Sequence, residues 1–289
     1  MDNVRTGLSY GDALLVPQRS PVNSRSAVDL STRLAPGLEL PQPILSAAMD
    51  TVTGPDLAVA LHEAGGLGVL HRFATVDEQA AWAREVTDCG ARVAGAVGIA
   101  ENSLDRTAAL LDAGADAIVV DVAHGHMEAC LNAVSAIRDE FDPVLVAGNV
   151  ATPEGVADLA AAGADCVKVG IGPGSHCTTR RVAGAGVPQL TAVSDCAAAA
   201  EAHDVTTVAD GGIRSAGDAA KALVAGADAV RLGSLFAGTA EAPGAVVEVD
   251  GDRYKRSRGM ATTVAAADRS DKDVEVGADE GVEALTPYK

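Results

Sequence analysis

The chain is poor in aromatic residues, in lysine and in long apolar runs. Only 2% of its 289 residues are aromatic while 48% are hydrophobic, so a core must be built from Ala, Val, Leu and Ile. No stretch approaches the ~20 apolar residues of a membrane span. The opening MDNVRTGLSYGDALL lacks the basic-then-apolar order of a secretory signal. A cytoplasmic protein with no membrane partner is therefore expected. There are five lysines, and 40 acidic residues stand against 22 Lys plus Arg, for a formal net charge of -18. That balance leaves no basic face for nucleic acid. The acid is spread along the chain, as suits a solvated surface in high salt, and bears on solubility more than on activity. Cys89, Cys130, Cys166, Cys177 and Cys196 form no CxxC pair and no zinc-type spacing with histidine. Most of them are expected to be small buried apolar residues.

Short apolar runs do occur, and they alternate with Ala-rich helical stretches. Strands are expected at 43–48, 66–71, 92–98, 117–123, 143–150, 166–172, 206–213 and 229–236. Near-continuous apolar runs of this length fit parallel strands buried on both faces. Helices are expected near 55–64, 75–87, 102–113, 127–140, 153–162, 190–202 and 215–225. AGAD recurs at 113–116, 162–165 and 225–228, with the related EAGG at 63–66, where a glycine supplies the left-handed cap that ends a helix. Eight such units predict a (β/α)8 TIM barrel, with an open doubly wound sheet as the alternative. After residue 243 no full helix is evident; GDRYKRSRGM and an acidic stretch predict a strand pair and a C-terminal flap over about 245–286. The whole of 1–289 reads as one barrel domain.

In a barrel the chemistry sits at the C-terminal ends of the strands. There the sequence places VGIGPGSHCTTRR (169–181), Asp210-Gly211-Gly212 and Gly233-Ser234. Successive glycines let backbone N–H groups converge on an anion, and Ser175 adds a hydroxyl, so a phosphate site is expected. Asp210 can accept hydrogen bonds from ribose hydroxyls or can simply be a buried acid. Cys177 sits in the same loop, before Thr178, Thr179, Arg180 and Arg181. Converging donors and cations favour a thiolate, which makes it the best nucleophile candidate of the five. His124 and His126 give only a weak metal pair, and His71 and His176 lie near the mouth without defined partners.

The loop GIGPGSHCTTR resembles the IMP dehydrogenase / GMP reductase family. So do MDTVT (49–53), GGLGVLHR (65–72), AGNVAT (147–152), GVPQLTAV (186–193), ADGGIRSAGDAAKAL (209–223), GSLFAGTAEAPG (233–244), RGM (258–260) and EGVEALTPYK (280–289). The resemblance implies a purine nucleotide substrate, a nicotinamide cofactor and covalent attack by Cys177 on C2 of the base. It implies Thr179 and Arg269 as further catalytic residues. Ser175, Gly212, Gly233 and Ser234 would hold the phosphate, Asp210 the ribose, and Met260 and Glu280 the base. Asp121, Asn149 and Gly170 would face the cofactor. The carbonyls of Gly170, Gly172 and Cys177 would form a potassium site, and the protein would be a homotetramer. Only residues 72–91 separate the second and third strands, so the family's CBS insert is absent. RGM, GVPQLTAV, EGVEALTPYK and Arg269 read like the NAD-dependent dehydrogenase that converts IMP to XMP. An NADPH-dependent GMP reductase is the alternative, and a nucleotide-binding paralogue without turnover is a second one. Ser270 and Ser257 stand where the dehydrogenase carries tyrosines, and His176 replaces an aliphatic residue.

Overall fold

A computed structural model describes residues 4–100, 102–267 and 280–289. An N-terminal hairpin, β1 (Thr32–Ala35) and β2 (Leu38–Leu40), precedes the barrel strands β3 (Ile44–Ser46), β4 (Gly68–Leu70), β5 (Val93–Val97) and β6 (Ala117–Asp121). These are followed by β7 (Leu145–Val150), β8 (Cys166–Val169), β9 (Thr206–Asp210) and β10 (Ala229–Leu232). The intervening helices are α1 (Pro55–Glu63), α2 (Val76–Asp88), α3 (Ser103–Asp112), α4 (Glu128–Phe141) and α5 (Pro153–Ala161). A short α6 (Thr179–Val182), then α7 (Gln189–Ala202) and α8 (Ala216–Val224), complete the set around the barrel.

The eight strands lie in the order β3-β10-β9-β8-β7-β6-β5-β4, and every pair is parallel. A parallel bridge between Leu45 and Leu67 joins the two ends, so the sheet closes into the expected barrel. The side-chain period of two divides each strand between two cores. Leu45, Val69, Ala94, Ala96, Val119, Val146, Cys166 and Val208 fill the interior, together with Leu34, Leu38 and Leu40 of the hairpin. Val93, Val97, Ile118, Val120, Leu145, Val167 and Val169 pack outward against the helices. The hairpin thus plugs one end of the barrel, which leaves the other for chemistry.

The AGAD repeats carry a second device beyond the helix stop. Gly114, Gly163 and Gly226 do take positive φ, at 86°, 107° and 110°. The aspartate that follows clamps the next strand over. Asp116 accepts from Val93 N at 2.8 Å, Asp165 from Leu145 N at 2.8 Å and Asp228 from Thr207 N at 2.7 Å. Each satisfies a donor in the first two residues of a neighbouring strand and helps to fix its register.

Beyond the barrel, β11 (Val246–Val249), β12 (Asp252–Arg258) and β13 (Glu283–Pro287) form an antiparallel sheet. Asp250 and Gly251, at φ 53° and 85°, make the tight β11–β12 turn that twisted hairpins favour. The expected strand pair is therefore corrected to three strands, because residues 283–287 return to pair with β12. After β10 the described residues contain only the short α9 (Thr263–Ala267), in line with the missing eighth helix.

Candidate active site

The loops after β8, β9 and β10 meet at the open end of the barrel. A methyl added to Gly211 would stand 3.0 Å from Pro173 and 3.2 Å from the Gly174 nitrogen. Gly211 and Gly212 also turn at φ 91° and 77°, where a side chain is strained. Ser175 Oγ lies 3.4 Å from Ser234 Oγ. These elements wall a cavity of about 420 Å³, also lined by Gly233, Met260, Cys177 and Glu280, a volume suited to a small-molecule ligand. The residues expected to cradle a phosphate are thus together in one place.

Cys177 is exposed at this mouth. Its Sγ donates to Thr179 Oγ1 at 3.2 Å, and Thr179 Oγ1 donates to Glu280 Oε2 at 2.6 Å. Glu280 reaches the loop through the backbone: Thr178 N donates to Glu280 O at 2.9 Å and Val282 N to His176 O at 3.0 Å. A thiol, a hydroxyl and a carboxylate therefore form one proton path. Burial pushes the Cys130 thiol up to about 11 and those of Cys166 and Cys196 up to about 12, so these three are poor nucleophiles. Cys89 lies on the surface at the end of α2.

The cavity floor is charged. Lys168, fully buried in β8, donates to Asp121 Oδ1 at 2.6 Å and to Asn149 Oδ1. Arg231 donates to Asp210 Oδ2 at 2.7 Å and to Asp121 Oδ2 at 3.1 Å. Asn149 Nδ2 bonds Asp210 Oδ2 and the Gly170 carbonyl, both at 2.8 Å. Burial opposes ionisation of Asp121, but the Arg231 and Lys168 charges overcome it and hold the carboxyl well below the usual range. The sequence reading missed Lys168 and Arg231. The signal was present: each charge interrupts an apolar strand two residues before a loop glycine, a position that shares the inward face. Such charges are buried only when paired.

Met260 lines the cavity, and two residues before it the Arg258 Nε and Nη2 donate to Asp50 Oδ2 at 2.9 and 2.5 Å. His176 does have a partner: its Nε2 lies 2.9 Å from Ser257 Oγ, and burial holds the imidazole below its ordinary value. His71 packs on Phe73 and Trp82. His126 pairs with Asp158 at 2.7 Å, and no three His, Cys, Asp or Glu side chains converge on a metal position among the described residues. Arg269 and Ser270 fall outside the described residues. Of the three carbonyls expected to hold potassium, that of Gly170 is engaged by Asn149. That oxygen keeps a second lone pair, and potassium enters no step below.

A family model described as the IMP dehydrogenase / GMP reductase domain matches residues 7–289. The chain belongs to this family. Among curated relatives, a GMP reductase from Leishmania major is 34% identical, over 98% of this chain and 87% of its own length. An inosine-5′-monophosphate dehydrogenase from Nitrosopumilus maritimus is 33% identical, over 99% and 88%. These alignments run to 428 and 419 positions, more than the 289 residues here, so the relatives carry segments that this family member lacks. A crystal structure of a GMP reductase variant from Trypanosoma brucei, in complex with guanosine 5′-monophosphate, superposes with a TM-score of 0.95 at 30% identity. It covers all of this chain and 88% of that one. The family is one of oxidoreductases, and both activities occur at similar identity. No helix among the described residues is long and apolar enough to cross a membrane.

Proposed function

We propose that this family member oxidises IMP to XMP with NAD through a covalent adduct on Cys177. The observation that carries the reading is the Cys177–Thr179–Glu280 hydrogen-bonded path at the edge of a cavity whose other walls form an anion cradle. Ser175, Gly212, Gly233 and Ser234 hold the 5′-phosphate. Asp210 Oδ1, which takes no hydrogen bond from the described residues, accepts from the ribose. Met260 and Glu280 face the base, and Cys177 Sγ bonds to C2. A bound NAD supplies a hydride acceptor for C2; Asp121, Asn149 and Gly170 form the wall on that side. Water then adds at C2 and the C–S bond breaks. Thr179 takes the water proton and passes it to Glu280, while the thiol is restored. The sum is IMP, NAD+ and water giving XMP, NADH and a proton. Arg269 is proposed as a second base. RGM, GVPQLTAV, EGVEALTPYK and Arg269 support the dehydrogenase direction.

A second reading, NADPH-dependent reduction of GMP to IMP, is favoured by the same proton path, which suits protonation of a leaving ammonia, and by likeness to the trypanosomatid reductases. We propose a single catalytic domain, acting in the cytoplasm as a homotetramer. Leu14 and Val16, 86% and 74% exposed, suit burial in an assembly, and sedimentation velocity checks it. Absorbance at 340 nm tests the activity, with IMP plus NAD in one cuvette and GMP plus NADPH in another. A rise in the first supports the dehydrogenase. A fall in the second supports the reductase. Binding of either nucleotide with both traces flat points to a paralogue without turnover.

A further inference from the structure

Arg231 is not explained by the proton path or by the phosphate cradle. It lies on β10 between Val230 and Leu232, with its side chain only 10% exposed. Its neighbours along the strand are apolar, and an apolar residue would continue their pattern. Instead its guanidinium spans two carboxylates from different strands: Asp210 at the end of β9 and Asp121 at the end of β6. Its Nε is buried without a partner among the described residues, so its placement carries a desolvation cost on top of burying the charge. A buried charge set of this kind adds little net stability over apolar packing. Its position at the floor of the cavity therefore calls for another role.

The bonding pattern on Asp210 supplies one. Arg231 Nη1 and Asn149 Nδ2 both bond Oδ2, at 2.7 and 2.8 Å, and Lys168 Nζ lies 3.9 Å from the same oxygen. Oδ1 takes none of these bonds. The second arm of the guanidinium holds Asp121 Oδ2, while Lys168 holds its Oδ1. We infer that Arg231 is a positioning residue: it fixes the Asp210 carboxylate with Oδ1 offered to the ribose hydroxyls, and ties it to Asp121 on the cofactor side. The inference rests on the reading of this cavity as a nucleotide site. A lysine cannot reproduce the fork, because one ammonium is a point charge and a guanidinium presents fixed parallel donors.

The test compares IMP with 2′,3′-dideoxy-IMP by calorimetry, on the full chain, for wild type, Arg231→Met and Arg231→Lys. Wild type is expected to favour IMP by about tenfold or more, the scale of hydrogen bonds to a charged group. In Arg231→Met that ratio falls to about one, with Arg231→Lys between. A structural role alone would weaken both nucleotides by the same factor and leave the ratio intact, which overturns the inference. If wild type binds neither nucleotide, the nucleotide reading fails and takes the ribose half with it. The bridge itself is then judged by melting temperature against pH. The ionisable groups around it are Arg72, Lys168, Asp121, Asp210 and Tyr10. Without Arg231 the Asp121 carboxyl loses the strongest of the charges that hold it low, with Lys168 and Arg72 left. Its folded pKa moves up towards the unfolded value, so the stability that wild type gains as pH climbs out of the acid range shrinks. Parallel profiles overturn the bridge. Should Arg231→Met fail to fold, the charge-balanced Arg231→Met/Asp121→Asn pair is expected to fold and to lose the ribose preference; retained preference there also overturns the inference.

Discussion

Replacing Glu280 with glutamine separates its proton chemistry from its structural role. The side chains are nearly the same size, and the Gln carbonyl oxygen can still accept from Thr179. The backbone bond from Thr178 N to Glu280 O, 2.9 Å, does not depend on the side chain. The 2.6 Å bond from Thr179 Oγ1 to Glu280 Oε2 is short, as expected for a charge-assisted contact. Its conversion to a neutral bond costs about 1 kcal/mol of loop stability, little for a chain of this length. The proton acceptor, however, is gone. Loss of a general acid–base group lowers the dependent step by about 10²- to 10⁴-fold. In the dehydrogenase reading that step is hydrolysis, so the first turnover should survive. Rapid mixing of Glu280→Gln with IMP and NAD is expected to give a full burst at 340 nm, a slow steady state, and a nucleotide adduct on Cys177 visible by intact mass. A steady state within about threefold of wild type from pH 6 to 9 would refute the proton path. Loss of the burst itself would place Glu280 in nucleotide binding instead.

Four other outcomes follow from the same structure. Gly170→Ala puts a methyl 2.0 Å from the Asp210 carbonyl; overpacking of this kind costs about 1–3 kcal/mol, read as a lowered Tm and lost nucleotide binding. Gly217→Ala, whose methyl meets nothing nearer than Ser215 Oγ at 3.6 Å, is the matched control and should be neutral or stabilising. Leu34→Ala in the hairpin plug, fully buried, should cost about 2–5 kcal/mol by denaturant unfolding; a cost well below that would mean the plug is dispensable. Burial holds His176 below its ordinary value, so below about pH 6.5 the unfolded chain binds more protons at this site and stability rises with pH towards neutrality. His176→Gln should flatten that part of the Tm profile, and an unchanged slope would contradict the burial argument.

The barrel was legible in the sequence because its signals are local. Buried parallel strands must be apolar throughout, and each AGAD needs a glycine at its turn whatever lies elsewhere. The cysteines divide as expected because a single loop thiol differs from strand and helix thiols in its immediate neighbours. The hairpin at 32–40 was not legible: its strands are four and three residues long, and only the end of the closed barrel opposite the active site gives their leucines something to cover. The third strand of the C-terminal sheet was missed for the same reason, since pairing partners distant in the chain leave no local period.

Within the site, residue types and loop chemistry pointed to phosphate and a nucleophile, and family resemblance supplied the roles. Tertiary structure alone decided what each group touches. Thr179 and Glu280 are 101 residues apart, and neither segment announces the other. Lys168 and Arg231 could be read as odd charges on apolar strands, but only closure of the barrel brings them onto Asp121 and Asp210. By itself the sequence determined the alternation of strands and helices, because backbone hydrogen bonding and side-chain period act over a few residues. The meeting of charges at the cavity floor belongs to the closed barrel, because those energies exist only once distant strands share one interior.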